Sequence, residues 1–75
     1  MEERVLAILE DNCEEILDYT GDNMVEDGIV DSFTLIAIVG DLEEEFDIEI
    51  DASYVVEEYF GNKDAILALM RELLG

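Results

Sequence analysis

Val5, Leu6, Leu9, Cys13, Ile16 and Leu17 recur three or four residues apart, with Glu2, Glu3, Glu10, Asp11 and Glu14 elsewhere on the wheel. That spacing predicts an amphipathic helix over residues 2–17. Residues 18–30 lose the period. They hold Asp18, Thr20, Gly21, Asp22, Asn23, Asp27 and Gly28, with Leu17, Tyr19, Met24, Val25, Ile29 and Val30 as anchors for a long polar loop. Loops of this length in compact domains are uncommon and tend to carry function.

The period returns after Asp31, a favoured N-cap residue whose carboxylate can accept first-turn amides. A second helix is predicted from Ser32 to about Phe46. Residues 47–54 carry Ile48 and Ile50 in alternation and read as an extended connection. A short helix is predicted over 54–60, broken by Gly61. Asn62 then caps a last helix over 63–74, with Ala65, Ile66, Leu69, Met70, Leu73 and Leu74 as its apolar stripe. The expected fold is all-α: a small bundle of three main helices plus one short helix, with 1–75 as a single domain.

The second helix carries more apolar surface than one core face needs. Leu35, Ile38, Val39, Leu42 and Phe46 make one stripe. Phe33, Ile36, Ala37 and Gly40 lie mostly on another side, continued by Glu43, Glu44 and Asp47. Either the short helix covers Phe33 and Ile36, or this apolar patch ending in carboxylates is a docking surface. Gly40 inside a helix costs about 1 kcal/mol relative to Ala; either it permits another backbone to approach closely, or it is merely tolerated.

Charge narrows the choice of partners. The 75 residues hold 22 acidic and 3 basic side chains and no histidine, for a formal charge of −19. About half of the chain is hydrophobic, so disorder driven by charge is not expected. Only Arg4, Lys63 and Arg71 could meet phosphates, which argues against nucleic acid and anionic membrane surfaces. A charged partner should be basic. Cys13 is the only cysteine, which excludes an internal disulfide and a cysteine zinc site. Met1-Glu2-Glu3-Arg4 lacks the basic start of a signal peptide, and no apolar run approaches the ~20 residues that span a bilayer. A cytoplasmic monomer is expected.

Ser32 opens the second helix. A catalytic serine needs a base, usually His and sometimes Lys. There is no His, and Lys63 opens a different helix. Thus no enzyme is expected, and no catalytic residue is assigned.

The string Gly28-Ile29-Val30-Asp31-Ser32-Phe33, after an acidic loop and opening an acidic helix, resembles the phosphopantetheine attachment motif of acyl carrier proteins. The likeness extends to length, helix order and acidity. Together with Phe46-Asp47-Ile48-Glu49-Ile50, the spelling looks closest to D-alanyl carrier proteins, which read Gly-Leu-Leu-Asp-Ser-Phe and Phe-Asp-Ile-Glu-Val. Their Trp and Thr-Pro-Asn-Lys run before the last helix have no counterpart in Glu57-Glu58-Tyr59-Phe60-Gly61-Asn62-Lys63. The resemblance implies an acyl-carrier-like bundle with 4'-phosphopantetheine on Ser32. It implies that Asp31 holds the turn and assists in binding the metal ion of the modifying enzyme.

By the same resemblance, Phe33, Ile36, Gly40, Glu43 and Glu44 match positions that meet partner enzymes. Those partners would be a phosphopantetheinyl transferase and adenylating ligases or acyl synthases with basic docking patches. The cargo stays open: D-alanine or another amino acid, a fatty acyl chain, or a polyketide or nonribosomal intermediate.

Two readings of other classes compete. Asp47, Glu49, Asp51, Ser53 and Glu58 stand at relative positions 1, 3, 5, 7 and 12 of an EF-hand loop, but Ala52 replaces the glycine that the sharp turn requires. No specific metal site is therefore assigned. The other is an unmodified acidic adaptor that binds a basic protein through the second helix.

Overall fold

The computed structural model describes residues 1–75. All regular structure is helical: α1 (Glu2–Asn12), α2 (Glu15–Asp18), α3 (Ser32–Phe46), a 3-10 turn (Ala52–Tyr54), α4 (Glu57–Phe60) and α5 (Lys63–Leu74). The protein is a small all-α bundle, and α1 sits at its centre, packed on α2, α3 and α5. α4 packs on α5 and on the 3-10 turn.

The core holds thirteen buried side chains, all apolar, drawn from every helix and from the loops. Val5 and Leu9 come from α1, Ile16 from α2, Ile38 and Leu42 from α3, and Phe60 from α4. Ile66, Leu67, Leu69 and Met70 come from α5. Met24, Val30 and Ile50 add the connections to the same cluster. Each such burial contributes about 1.5–3 kcal/mol relative to leaving the side chain exposed.

The helix predicted over residues 2–17 is broken at Cys13, which is extended at φ −163°, ψ 101°. Asn12 supplies the reason. Its Nδ2 donates to the Ile8 carbonyl at 2.9 Å and to Asp41 Oδ2 at 2.9 Å. One side chain thus folds back on the last turn of α1 and ties it to α3. The chain restarts as α2, which carries Ile16 into the core.

The short helix predicted over 54–60 is also two pieces. Asp51 caps the 3-10 turn by accepting the Ser53 amide at 2.9 Å. Val55 and Val56 then leave helical geometry, and Val56 is the extended N-cap of α4. Two adjacent β-branched residues are poor helix continuers. Gly61 follows α4 as expected. It is required there by close approach, because a Cβ would lie 2.0 Å from the Asp22 carbonyl oxygen and 2.5 Å from that of Glu57.

Asn62 caps α5 by accepting the Ala65 amide at 2.8 Å. The stripe on α5 is shifted from the expected one. Leu67 is buried, Ala65 and Leu73 are half-buried, and Leu74 is exposed. Packing against both α1 and α4 widens the buried face of α5.

Candidate functional site at the start of helix α3

The loop delivers the chain to α3 by burying its two ends. Met24 is fully buried, and its carbonyl accepts the amides of both Ile29 and Val30, at 2.8 and 3.1 Å. Gly28 turns the chain between them with φ +78°, a left-handed value suited to glycine. Val30 is buried, and the next three residues, Asp31, Ser32 and Phe33, are exposed. Cys13 is half-buried beside this loop, and its Sγ donates to the Ile29 carbonyl at 3.4 Å. Of the other expected loop anchors, Leu17, Tyr19 and Ile29 are half-buried and Val25 is exposed.

Asp31 caps α3 as the sequence suggests: its Oδ1 accepts the Thr34 amide at 2.7 Å. That bond holds the carboxyl below the usual aspartate range, since it favours the charged form. Ser32 is the first residue of the helix and is exposed. Its hydroxyl stands beside the end of the helix where amides and the macrodipole favour negative charge. A bulky phosphodiester there would meet solvent, not packed side chains.

From Ser32 an apolar face runs along α3. Phe33 is 84% exposed and Ile36 64% exposed; Ala37 and Gly40 are exposed too. The short helix does not cover Phe33 or Ile36. Instead Ile38 and Leu42 turn to the core, with Leu35, Val39 and Phe46 half-buried around them. A Cβ built on Gly40 meets nothing within 4 Å, so no neighbour in the chain requires a glycine there.

The carboxylates beyond Gly40 divide into two kinds. Glu44 is exposed and makes no hydrogen bond or ion pair in the chain. Glu43 is half-buried, and its Oε2 accepts the Ile50 amide at 2.8 Å. Its carbonyl also accepts the amides of Asp47 and Ile48, where Asp47 turns left-handed at φ 53°. Glu43 therefore stabilises the end of α3, a structural role the sequence reading did not assign.

No family model, no curated protein and no solved structure matches this chain.

The remaining charge is mostly unpaired. Arg4 meets Glu45 at 3.5 Å and Arg71 meets Glu2 at 3.2 Å, both exposed. Asp11, Asp41, Glu44 and Glu45 line a crevice of about 420 Å³ between α1 and α3, with Ile8 its one apolar residue. The EF-hand spacing is not realised in space. Asp51 is spent on capping, Ser53 lies within the 3-10 turn, and no group of three or more acidic or cysteine side chains converges as a metal site. No helix is long and apolar enough to cross a membrane.

A second groove, also about 420 Å³, lies between the loop, α3 and the 55–60 segment. Val25, Leu35, Val55, Val56 and Phe60 form its apolar lining, and Asn23, Glu26 and Glu57 its polar edge. The sequence reading missed it because it joins three separate stretches of chain. The uncovered Val25 and the Val55-Val56 pair were its only local signal.

Proposed function

We propose that this chain is a carrier protein in which Ser32 is the attachment point for 4'-phosphopantetheine. The observation that carries the reading is the combination at one place of an exposed serine, an Asp-capped helix start and an exposed apolar face running onward from the serine. The Gly28–Phe33 string supports it as a resemblance to acyl carrier proteins. In the modification, the Ser32 oxygen would form a bond to the phosphate next to pantetheine in coenzyme A. Adenosine 3',5'-bisphosphate leaves, and the serine proton passes to the transferase or solvent. The thiol that holds the cargo belongs to the attached arm, so the protein needs no catalytic base of its own. Asp31 keeps the helix start in place for the transferase.

In this reading the chain is a cytoplasmic monomer, and an adenylating ligase or acyl synthase docks on Phe33, Ile36, Gly40, Glu43 and Glu44. Phe33 and Ile36 supply contact area, and the carboxylates steer a basic patch. The cargo is an acyl or aminoacyl group held as a thioester, D-alanine by the spelling of the motif. Fatty acyl, polyketide and nonribosomal intermediates are the alternatives.

The test is intact mass after incubation with coenzyme A, magnesium and a broad-range phosphopantetheinyl transferase. Wild type is expected to gain one phosphopantetheine and Ser32→Ala none. No gain by wild type, or a gain retained by Ser32→Ala, rejects the carrier. The unmodified adaptor then remains, with binding of its partner unaffected by Ser32→Ala and lost in Phe33→Ala with Ile36→Ala.

A further inference from the structure

The groove lined by Val25, Leu35, Val56 and Phe60 has a polar edge that is itself connected. The Asn23 amide Nδ2 donates to Glu57 Oε2 on α4 and to Glu26 Oε2 on the loop, the latter at 3.4 Å. One neutral amide therefore stands between two carboxylates that would otherwise repel each other across the mouth of an apolar groove.

Two further bonds join the loop to the same part of the chain. Met24 donates its amide to the Gly61 carbonyl at 2.9 Å, and Asn62 Nδ2 donates to the Gly21 carbonyl at 3.0 Å. These lie at the tight crossing of Asp22 and Gly61, where Met24 and Gly61 are buried. The Asn23–Glu57 bond is exposed. An exposed hydrogen bond exchanges readily with water, whereas bonds at a packed crossing do not.

We propose that Asn23 is a strap on this groove: breaking its bridge to Glu26 and Glu57 lets carboxylate repulsion swing the exposed Val25 and Glu26 away from α4 about the fixed Met24–Gly61 joint, uncovering the apolar lining. The strap does not rest on modification of Ser32 and operates whether or not the chain is a carrier. It sets how often apolar molecules reach Leu35 and Phe60.

Asn23→Asp isolates the strap. The carboxylate keeps an acceptor for the Glu26 amide, which Asn23 Oδ1 accepts at 3.0 Å, but removes the donor and adds a third like charge. The probe is Nile red, which is neutral and so is not repelled by the protein's charge. Its binding should rise roughly two- to tenfold in Asn23→Asp. Amide exchange of Met24 should stay as in wild type, because the joint holds. Adding Glu57→Gln to that variant should return binding towards wild type.

Unchanged dye binding in a folded Asn23→Asp overturns the strap, as does failure of Glu57→Gln to restore it. Faster exchange at Met24, Leu9 and Met70 together also overturns it, since that is general loss of stability. Should Asn23→Asp not fold, Glu26→Gln with Glu57→Gln in the wild-type background decides. Dye binding should fall as the repulsion is removed, and no fall rejects the proposal.

Discussion

Glu43 Oε2 accepts the amide N–H of Ile50 at 2.8 Å, tying the last turns of α3 to a connection that buries Ile50 in the core. The neighbouring Glu44 has no such tie. Two adjacent glutamates with the same place in the charge pattern therefore differ in what they hold. Glu43→Ala should lower stability by about 1 kcal/mol through the lost acceptor, visible as a reduced melting temperature. Glu43→Gln keeps an oxygen for the Ile50 amide and should lose little. Glu44→Lys should leave the melting temperature equal or higher, because it removes like-charge repulsion, yet, if the chain is the proposed carrier, slow its loading by a ligase. Unimpaired loading would remove Glu44 from the proposed docking face.

The Asp31 cap sets a pH dependence with a defined sign. Its carboxyl titrates below the usual aspartate range because the folded protein presents the Thr34 amide to the charged form. A depressed folded value means that the cap's contribution is present above the unfolded aspartate value. It is lost as pH falls through the lower folded value. The melting temperature of Asp31→Ala should therefore lie below wild type at neutral pH, and the gap should close on acidification through that window. Carboxyl-carbon NMR titration of Asp31 checks the direction directly. A midpoint at or above the ordinary aspartate value would contradict the cap.

Sequence alone revealed what depends on local chemistry. Asp31 and Asn62 are caps because their short acceptors reach amides three residues ahead, a relation written in the spacing. Phe33 and Ile36 were legible as surplus, since α3 has more apolar positions than one buried face can use. The break at Cys13 was not legible. The periodicity runs through it, and the cause is Asn12 reaching Asp41, 29 residues away. The tie made by Glu43 was not legible for the same kind of reason: its partner amide is set by a turn whose left-handed residue is Asp47 and not a glycine. Charge pattern identifies a carboxylate but not the amide it meets once the chain has folded.

Gly40 and Gly61 should respond oppositely to alanine. Gly40 is exposed in mid-helix with open space where a Cβ would go. Gly40→Ala should therefore stabilise the fold by about 1 kcal/mol, raising the melting temperature by roughly 4–8 °C. If a partner backbone approaches α3 there, the same change should slow loading, which would show stability and docking in conflict at one residue. Gly61 is buried against the Asp22 carbonyl, and its Cβ would overlap that oxygen. Gly61→Ala should destabilise strongly by forcing the loop and α4 apart. A neutral Gly61→Ala would mean that the crossing is looser than its geometry.

Ionic strength should act on the whole molecule. Only two of the 22 acidic side chains meet a cation, through Arg4–Glu45 and Arg71–Glu2. The protein spans 29 × 24 × 20 Å. The screening length at 0.01 M salt is about 30 Å, so nearly every carboxylate then feels every other; at 0.1 M it is about 10 Å, and repulsion is confined to neighbours. Folding concentrates the charge that the unfolded chain spreads out, so screening favours the folded state. The melting temperature should rise steadily with sodium chloride over this range, with a smaller further gain towards 1 M. Because no metal-like group of ligands converges, magnesium should help as a concentrated screen and not through a saturable site. A calorimetric titration of the cation should show no stoichiometric step. A melting temperature flat in salt would mean that the repulsion is already relieved by the spacing of the carboxylates.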